Sequence, residues 1–240
     1  MTRIITFVLG IAIALSVPAV LAVTGIRVVT NDRYVRAVYE HGGVSQDTYG
    51  FGADERTALA LVGLRSILPS SDEGIGLLED ARLRDGSPAF NARELRHMKD
   101  VRTLIGRAYR FQVIAVIAIA ALAVLLGLRR STRTVVPVAL GRGALLTILV
   151  AAAVAVVSVT SYGRFEAAFH GVFFEGESWR FAETDTLRRL YPDRFWLDTA
   201  IAIGVIAVIQ ALVLYPLARV WGRRLHARQA FRLRARTQSS

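Results

Sequence analysis

The stretch ALLTILVAAAVAVVSVTSY (144–162) contains nineteen consecutive residues without a charged side chain. A helix of this length rises by about 28 Å, close to the roughly 30 Å of a bilayer's hydrocarbon core. Three further uncharged apolar runs have a similar length: Ile4–Ile26, Phe111–Leu128 and Thr199–Ala218. The sequence therefore predicts a mainly α-helical, polytopic membrane protein with four transmembrane helices.

The first run also fits a second interpretation. Arg3, followed by an apolar stretch and small residues, is typical of a cleaved signal peptide. The run is long for the apolar part of a signal, and three more spans follow it. We therefore expect it to be retained as the first membrane helix.

The charged residues are divided unevenly along the chain. Segments 1–26, 129–143 and 219–240 hold 12 of the 30 basic residues and no acidic ones, whereas 27–110 and 163–198 hold 18 basic and all 19 acidic residues. This division follows the positive-inside rule. It predicts a multi-pass protein of the cytoplasmic membrane, with both termini in the cytoplasm and the two nearly neutral segments on the outer face. The net charge of +11 thus indicates topology and membrane lipid as a partner, and we expect no nucleic acid.

Together these patterns divide the chain into eight segments. They are transmembrane helix 1 (1–26), an extracytoplasmic cap (27–110), transmembrane helix 2 (111–128), a basic cytoplasmic loop (129–143), transmembrane helix 3 (144–162), an aromatic-rich extracytoplasmic segment (163–198), transmembrane helix 4 (199–218) and a basic cytoplasmic tail (219–240). The cap is expected to be helical with room for short strands. Residues Ile26–Tyr39 fit either structure, whereas Ala53–Leu68 has the apolar spacing of an amphipathic helix.

The best-defined feature of the cap is a helix that begins after Asn91. Asn91 and Glu94, three residues apart, have the form of an N-cap and its capping-box partner. Apolar residues then recur at helical spacing, and Gly106 is expected to separate this helix from the second span. His97 lies in the helix, 14 residues before that span, and so is predicted to lie near the outer leaflet.

The sequence lacks the residues or motifs that several classes of function require. The chain contains no cysteine, which excludes disulfides and a thiol nucleophile. The four spans carry no charged residue, which argues against ion transport. The serine-hydrolase elbow, the P-loop and the dinucleotide fingerprint are all missing from the sequence.

Two of the four histidines, His97 and His170, are predicted to lie outside and beside membrane boundaries. His41 is in a glycine turn and His226 is in the basic tail. An unperturbed imidazole can act as acid or base near neutral pH, so the pair is a candidate for catalysis.

A metal site is the alternative use of these histidines. Nitrogen and oxygen ligands are available from His97, Asp100, Glu166, His170 and Glu175. However, the chain has no HExxH motif, and Glu166 with His170 is the only closely spaced pair. We therefore expect neither a metal nor another cofactor.

Aromatic residues are concentrated in one outer segment. Residues 162–196 hold 10 of the 21 aromatics. An interfacial aromatic belt would place such residues at both ends of every span, and this distribution does not. The segment is therefore a candidate binding wall, either in an enzyme or in a non-catalytic membrane protein that binds lipid or a partner protein.

Two stretches also resemble a known family. FNARELRHMKDVRTLI (90–105) and FEAAFHGVFFEGESWRFAETDTLRRLYPDRFWLD (165–198) are similar to a family of four-helix integral membrane proteins that includes the lipoprotein intramolecular transacylase. The resemblance implies an enzyme that moves the sn-2 acyl chain of an S-diacylglyceryl cysteine onto the α-amino group of the same cysteine. It also implies that His97 and His170 carry the reaction on a diacylated lipoprotein substrate. We expect the protein to be a monomer.

The chemistry of that reaction is consistent with these residues. An amine that attacks an ester within one molecule needs a base for its proton and a hydrogen-bond donor to the oxyanion. The sequence does not assign these two roles between His97 and His170. The candidates for an apolar substrate-binding wall are Phe169, Phe173, Phe174, Trp179, Phe195 and Trp196. The candidates for orienting an imidazole or contacting the amine are Asp100, Glu166 and Asp198.

Overall fold

The computed structural model of the chain describes residues 3–41, 44 and 46–237. Within them the chain forms nine α-helices: α1 (Arg3–Val29), α2 (Asp32–His41), α3 (Ala53–Ile67), α4 (Gly76–Glu79), α5 (Ala92–Gly127), α6 (Val135–Thr160), α7 (Tyr162–Phe173), α8 (Thr186–Leu190) and α9 (Asp193–Thr237). The same residues contain no strand, and their one β-type pairing is an isolated antiparallel bridge between Arg82 and Pro88. The first two residues of the predicted segment 1–26 and the last three of 219–240 lie outside this description.

Four of the helices, α1, α5, α6 and α9, are long and apolar enough to cross a membrane. This confirms the predicted fold class. The predicted break at Gly106 is wrong, because α5 runs unbroken for 36 residues. One glycine costs a helix about 1 kcal/mol relative to alanine, and a helix of this length tolerates that cost.

The chain divides into two compact units. The first, called here the span unit, comprises Met1–Gly25, Phe111–Ala153 and Gly204–Ser240. Inside it α1 and α6 approach closely at Gly143, where an added Cβ would lie 2.6 Å from Val17 Cβ. Small residues permit such close packing between membrane helices.

Two glutamine side chains also bind neighbouring helices within the span unit. Gln112 Nε2 donates to the Val20 carbonyl (3.0 Å) and to Thr24 Oγ1 (2.7 Å). Gln210 Nε2 donates to the Leu21 carbonyl (3.3 Å). The Gln210 side chain on α9 therefore joins that helix to α1.

The second unit, called here the cap unit, comprises Ile26–Arg110 and Val154–Ile203. Its apolar core is shared by α2, α3, α4, the start of α5, α8 and the start of α9. Tyr191, directly after α8, donates its hydroxyl to the Ala60 carbonyl in α3 (2.6 Å). Gly63 leaves room for that hydroxyl, which a Cβ at this position would overlap.

An arginine on α5 caps the preceding long helix of the cap unit. Arg102 donates to the carbonyls of Ser66 (2.8 Å), Leu68 (2.7 Å) and Ser71 (2.9 Å), at and beyond the end of α3. Carbonyls at a helix C-terminus lack intrahelical partners, so a cation there satisfies them. This contact holds the charged first half of α5, which carries His97, against α3.

Candidate active site

The first turn of α5 is fixed by a capping box. Asn91 Oδ1 accepts hydrogen bonds from the N–H groups of Arg93 (2.9 Å) and Glu94 (3.1 Å), and the Asn91 N–H donates to Glu94 Oε2 (2.7 Å). The predicted helix start is therefore confirmed. Glu94 is only 1% exposed, and its Oε1 accepts from the Leu187 N–H in α8 (2.7 Å). The buried carboxylate thus joins the start of α5 to α8, one turn before His97.

The His97 imidazole is enclosed by other rings. Its centroid lies 5.1 Å from that of Phe174, 5.3 Å from that of Phe181 and 6.0 Å from that of His170. The residue is 8% exposed, and its Nδ1 has no hydrogen-bond partner among the described residues. Burial, with a smaller contribution from His170, lowers the pKa of His97 from 6.5 to about 4. His97 is therefore neutral at physiological pH.

His170 lies near the end of α7, and its tautomer is set by the backbone. Its Nδ1 is 2.8 Å from the Glu166 carbonyl oxygen, one turn earlier. A carbonyl only accepts hydrogen bonds, so Nδ1 carries the proton and Nε2 keeps its lone pair. Burial lowers the pKa of His170, and the bond to the Glu166 carbonyl opposes that effect only in part. The ring is therefore neutral, with a basic Nε2.

Three of the predicted wall residues contact the His170 ring, and a fourth packs on one of those three. Trp179 stacks on it with centroids 4.3 Å apart and planes 17° apart. Phe169 meets it edge-on at 5.5 Å, and Phe174, also at 5.5 Å, contacts both imidazoles. Phe173 packs on Phe169 at 4.9 Å and is 49% exposed. These rings form a partly open apolar wall.

The other two predicted wall residues lie elsewhere in the cap unit. Phe195 is 4% exposed in the core, between Tyr39 (6.2 Å) and Tyr191 (5.1 Å). Trp196 packs on Phe195 and Tyr191 and is 46% exposed. Neither ring has a contact with an imidazole among the described residues. A direct role in binding substrate remains a prediction for both.

The three predicted acidic residues have different surroundings. Asp100 is exposed, and Asp198 forms an ion pair with Arg194, whose Nε lies 3.0 Å from Asp198 Oδ2. The Glu166 side chain is half-buried, and burial, reinforced by the nearby Asp193, raises its pKa. In the described part of the chain, no group of three or more histidine, aspartate or glutamate side chains is arranged to hold a metal ion.

One ring of the pocket was missed by sequence reasoning. Phe181 lies in the aromatic stretch, two residues after Trp179, and closes one side of His97. Its ring also lies 5.5 Å from the Arg93 guanidinium, in the first turn of α5. Its position in that stretch was the only available signal.

The arrangement is suited to proton transfer under partial exclusion of water. Each neutral imidazole has one N–H and one lone pair, so one ring can accept a proton while the other donates a hydrogen bond. The two rings come from α5 and α7, which are 73 residues apart at His97 and His170. Aromatic walls strengthen electrostatic interactions by lowering the local dielectric.

The fold is similar to that of a solved integral membrane enzyme. The in meso structure of the lipoprotein intramolecular transacylase Lit from Bacillus cereus superposes with a TM-score of 0.68 at 17% identity, covering 94% of this chain and all of that one. A Bacillus cereus Lit variant with a histidine replaced by arginine gives a TM-score of 0.60 at 18% identity, covering 94% of this chain and 93% of that one. At this level of identity, the likeness establishes the membrane fold.

Sequence relatives extend the likeness. An uncharacterized protein from Aquifex aeolicus (strain VF5) is 29% identical over 184 residues, which are 76% of this chain and 80% of that protein. The model of the family described as lipoprotein intramolecular transacylase Lit matches residues 76–196, which are 121 of the 240 residues and include both pocket histidines. The chain therefore belongs to the lipoprotein intramolecular transacylase Lit family.

Proposed function

We propose that this protein is an acyltransferase that acts within a single bacterial lipoprotein molecule. It moves the sn-2 acyl chain of the S-diacylglyceryl cysteine to the α-amino group of that cysteine and leaves a lyso-form lipoprotein. The observation that carries the proposal is the pair of neutral imidazoles, 6.0 Å apart, inside the region that matches the family model.

His170 is the base in this scheme. The lone pair of the neutral α-amine attacks the sn-2 ester carbonyl, and the amine loses a proton to His170 Nε2 as the C–N bond forms. The hydrogen bond from Nδ1 to the Glu166 carbonyl supports this role, because it orients the ring and disperses the positive charge that Nε2 acquires. The ester C–O bond then breaks, and the sn-2 oxygen takes the proton from His170. The step needs no enzyme nucleophile and no co-reactant.

His97 supports the oxyanion. Its imidazole is neutral and buried, so its N–H can donate to the ester oxygen as negative charge develops there. A neutral donor in an apolar pocket stabilises that charge without needing to be protonated first. The low pKa of His97 therefore fits a donor better than a base.

The aromatic wall holds the lipid in place. The amine and the sn-2 ester must meet in a cyclic arrangement, and orientation of this kind contributes about 7–11 kcal/mol in favourable intramolecular reactions. Phe169, which meets His170 edge-on, is 43% exposed, and Phe173, which packs on Phe169, is 49% exposed. Acyl chains that cover these rings would also exclude water from the reacting atoms.

The setting follows from the charge distribution. We infer that the pocket lies at the outer face of the cytoplasmic membrane, because segments 27–110 and 163–198 are nearly neutral, whereas 129–143 and 219–240 are basic. Both histidines belong to one chain, so a monomer is sufficient for the reaction.

Mass spectrometry of a lipoprotein N-terminus, in a host that lacks N-acylation and expresses this protein, tests the function. The expected product carries an N-acyl chain and has lost the sn-2 chain, with the total mass unchanged. A lipoprotein that stays S-diacylglyceryl in a competent host would refute the proposal. It would favour the alternative of a non-catalytic protein that binds lipid or a partner protein.

Substitutions separate the roles of the two histidines. His170→Gln should abolish conversion, whereas His97→Gln, which keeps an N–H donor, should retain more activity than His97→Ala. The exposed His41 and His226 provide the matched controls, and their alanine variants should convert the lipoprotein normally. Full activity in His170→Gln would remove that residue from the mechanism. Activity lost in a strong chelator would instead favour the metal site.

A further inference from the structure

A groove runs between α1 and α6 in the span unit, and neither His97 nor His170 lines it. Its volume is about 740 Å³. Its apolar lining includes Phe7, Ile11 and Leu15 on α1, with exposures of 64%, 42% and 62%, and Val138 on α6. From Arg3 to Leu15 the lining extends for about 18 Å at 1.5 Å per helical residue, close to the length of one leaflet.

Two arginines line the same groove. Arg3 begins α1, and Arg142 lies seven residues into α6, because that helix starts at Val135 within the segment predicted as a loop. Arg142 is thus about 10 Å along the helix, where its long side chain runs over apolar surface. The hydroxyl-bearing residues Ser131 and Thr134 line the groove as well.

The sequence of the span unit supplies no counter-charge for these guanidinium groups. Residues 1–25, 111–153 and 204–240 contain 12 arginines and not one aspartate or glutamate. Guanidinium groups pair with carboxylate or phosphate in a bidentate geometry. An apolar groove with two arginines and no acidic residue therefore matches a ligand with an anionic head and a long apolar chain.

We propose that this groove binds one anionic phospholipid. Arg3, at the start of α1, holds its phosphate, and an acyl chain lies along Phe7, Ile11 and Leu15. Arg142 lies farther along the groove, because the neighbouring Gly143 packs on Val17, and it donates to the ester oxygens of the same lipid. A free phosphate ion would leave the apolar length of the groove uncovered, which favours a lipid. The inference does not depend on the proposed transacylase activity.

Native mass spectrometry of the full-length protein tests this site. Protein released from detergent is titrated with phosphatidylglycerol, and separately with phosphatidylcholine. One phosphatidylglycerol should bind ahead of all others, and Arg3→Gln with Arg142→Gln should weaken that event by about thirty-fold, since each basic residue near an anionic surface contributes roughly fivefold. The matched control, Arg223→Gln with Arg224→Gln, removes two exposed charges of the same unit outside the groove and should keep the tight event.

Three results would overturn the proposal. Equal losses in the two double variants would show diffuse attraction of lipid to a basic surface. Equal binding of phosphatidylcholine would remove the role of the arginines, and full displacement of the lipid by inorganic phosphate would assign the site to a free anion.

Ile11→Trp keeps both charges and fills the groove. It should also weaken the tight event, and unchanged binding would contradict the acyl-chain position.

Discussion

Replacing Phe174 by alanine should raise the pKa of His97. The Phe174 ring contacts both imidazoles, at 5.1 Å and 5.5 Å, and is one of three rings around His97. Burial lowers the His97 pKa from 6.5 to about 4, a difference that corresponds to about 3 kcal/mol in favour of the neutral form. Water admitted through the space left by one of those rings should return about a third of that free energy. The His97 pKa should therefore rise by about one unit.

Histidine NMR of the detergent-solubilised protein can measure this change. The chain has four histidines, so its imidazole resonances can be assigned with four single substitutions. His41 and His226 are exposed and lie outside the pocket. The matched control is Phe173→Ala, since Phe173 packs on Phe169 and not on either imidazole. It should leave the His97 titration unchanged.

The same two variants extend the test to activity. If His170 is the base, conversion falls as the pH drops through the pKa of His170, which burial has lowered. Phe174→Ala should move this acid limb toward higher pH, and Phe173→Ala should not. If His97 titrates at the same pH with and without Phe174, that ring does not control the His97 pKa. Equal shifts in the two variants would likewise show that contact with the imidazole is not the cause.

Three further predictions concern stability, measured as the free energy of unfolding by denaturant titration in micelles. Asp47→Asn should cost about 3 kcal/mol, because it breaks the ion pair with Arg189 (2.8 Å), in which the Asp47 side chain is 2% exposed. Arg189 holds the Asp47 pKa at about 2, a lowering that corresponds to about 2.5 kcal/mol. The wild type should lose about that much stability as the pH falls from above 3.8 to below 2, and a flat profile would contradict it. Glu94→Ala should cost about 3 kcal/mol, because it leaves two backbone N–H groups without their acceptor. Glu94→Gln keeps an accepting oxygen and should cost less, and equal costs for the two variants would argue against the capping role. Gly143→Ala should cost about 1–3 kcal/mol, since its Cβ would lie 2.6 Å from a side chain of α1. The control Gly141→Ala, whose Cβ would have no neighbour nearer than 3.9 Å, should be close to neutral. Equal losses of stability in the two variants would show that the close approach is not the cause.

The parts of the fold that the sequence predicted are those fixed by local physics. An uncharged run such as 144–162 must form its backbone hydrogen bonds internally once it is in lipid, so its helix follows from composition alone. The capping box likewise joins Asn91 to a glutamate three residues away and needs no distant partner. Both features could be identified without knowledge of the tertiary structure.

The helix ends were harder to predict, because they depend on neighbours. Gly106 has the composition of a break, yet α5 continues through it. Val135 begins α6 nine residues before the predicted span at 144, and hydrogen bonding in the preceding turn, from the Val135 N–H to the Thr132 carbonyl (3.0 Å), leads into the helix. A charge-based boundary marks where arginines occur, which is not where a helix must start.

In the candidate site, the sequence identified residue types better than contacts. Phe174 and Trp179 contact an imidazole, but Phe195, from the same aromatic-rich segment, is buried in the cap core instead. From composition alone, these three rings are equally good candidates for the substrate-binding wall. Only the packing of α7 and α8 separates them, and that packing depends on contacts such as that between Glu94 and Leu187, 93 residues apart in the chain.

The division of labour between the histidines depends on a still smaller detail. Both rings are neutral, because burial lowers the pKa of the buried His97 and of the half-buried His170, so protonation state alone does not distinguish base from donor. The difference is one backbone carbonyl, which Glu166 presents to His170 Nδ1 and which has no counterpart at the unpartnered Nδ1 of His97 within the described residues. A fixed Nδ1–H leaves Nε2 of His170 as a ready acceptor, while an uncommitted His97 can adopt whichever tautomer the oxyanion requires. The assignment of His170 as base and His97 as donor thus originates in one turn of α7, where His170 follows Glu166 by four residues. The side chain at position 166 matters less than the helical geometry, because it is the backbone carbonyl that accepts the hydrogen bond.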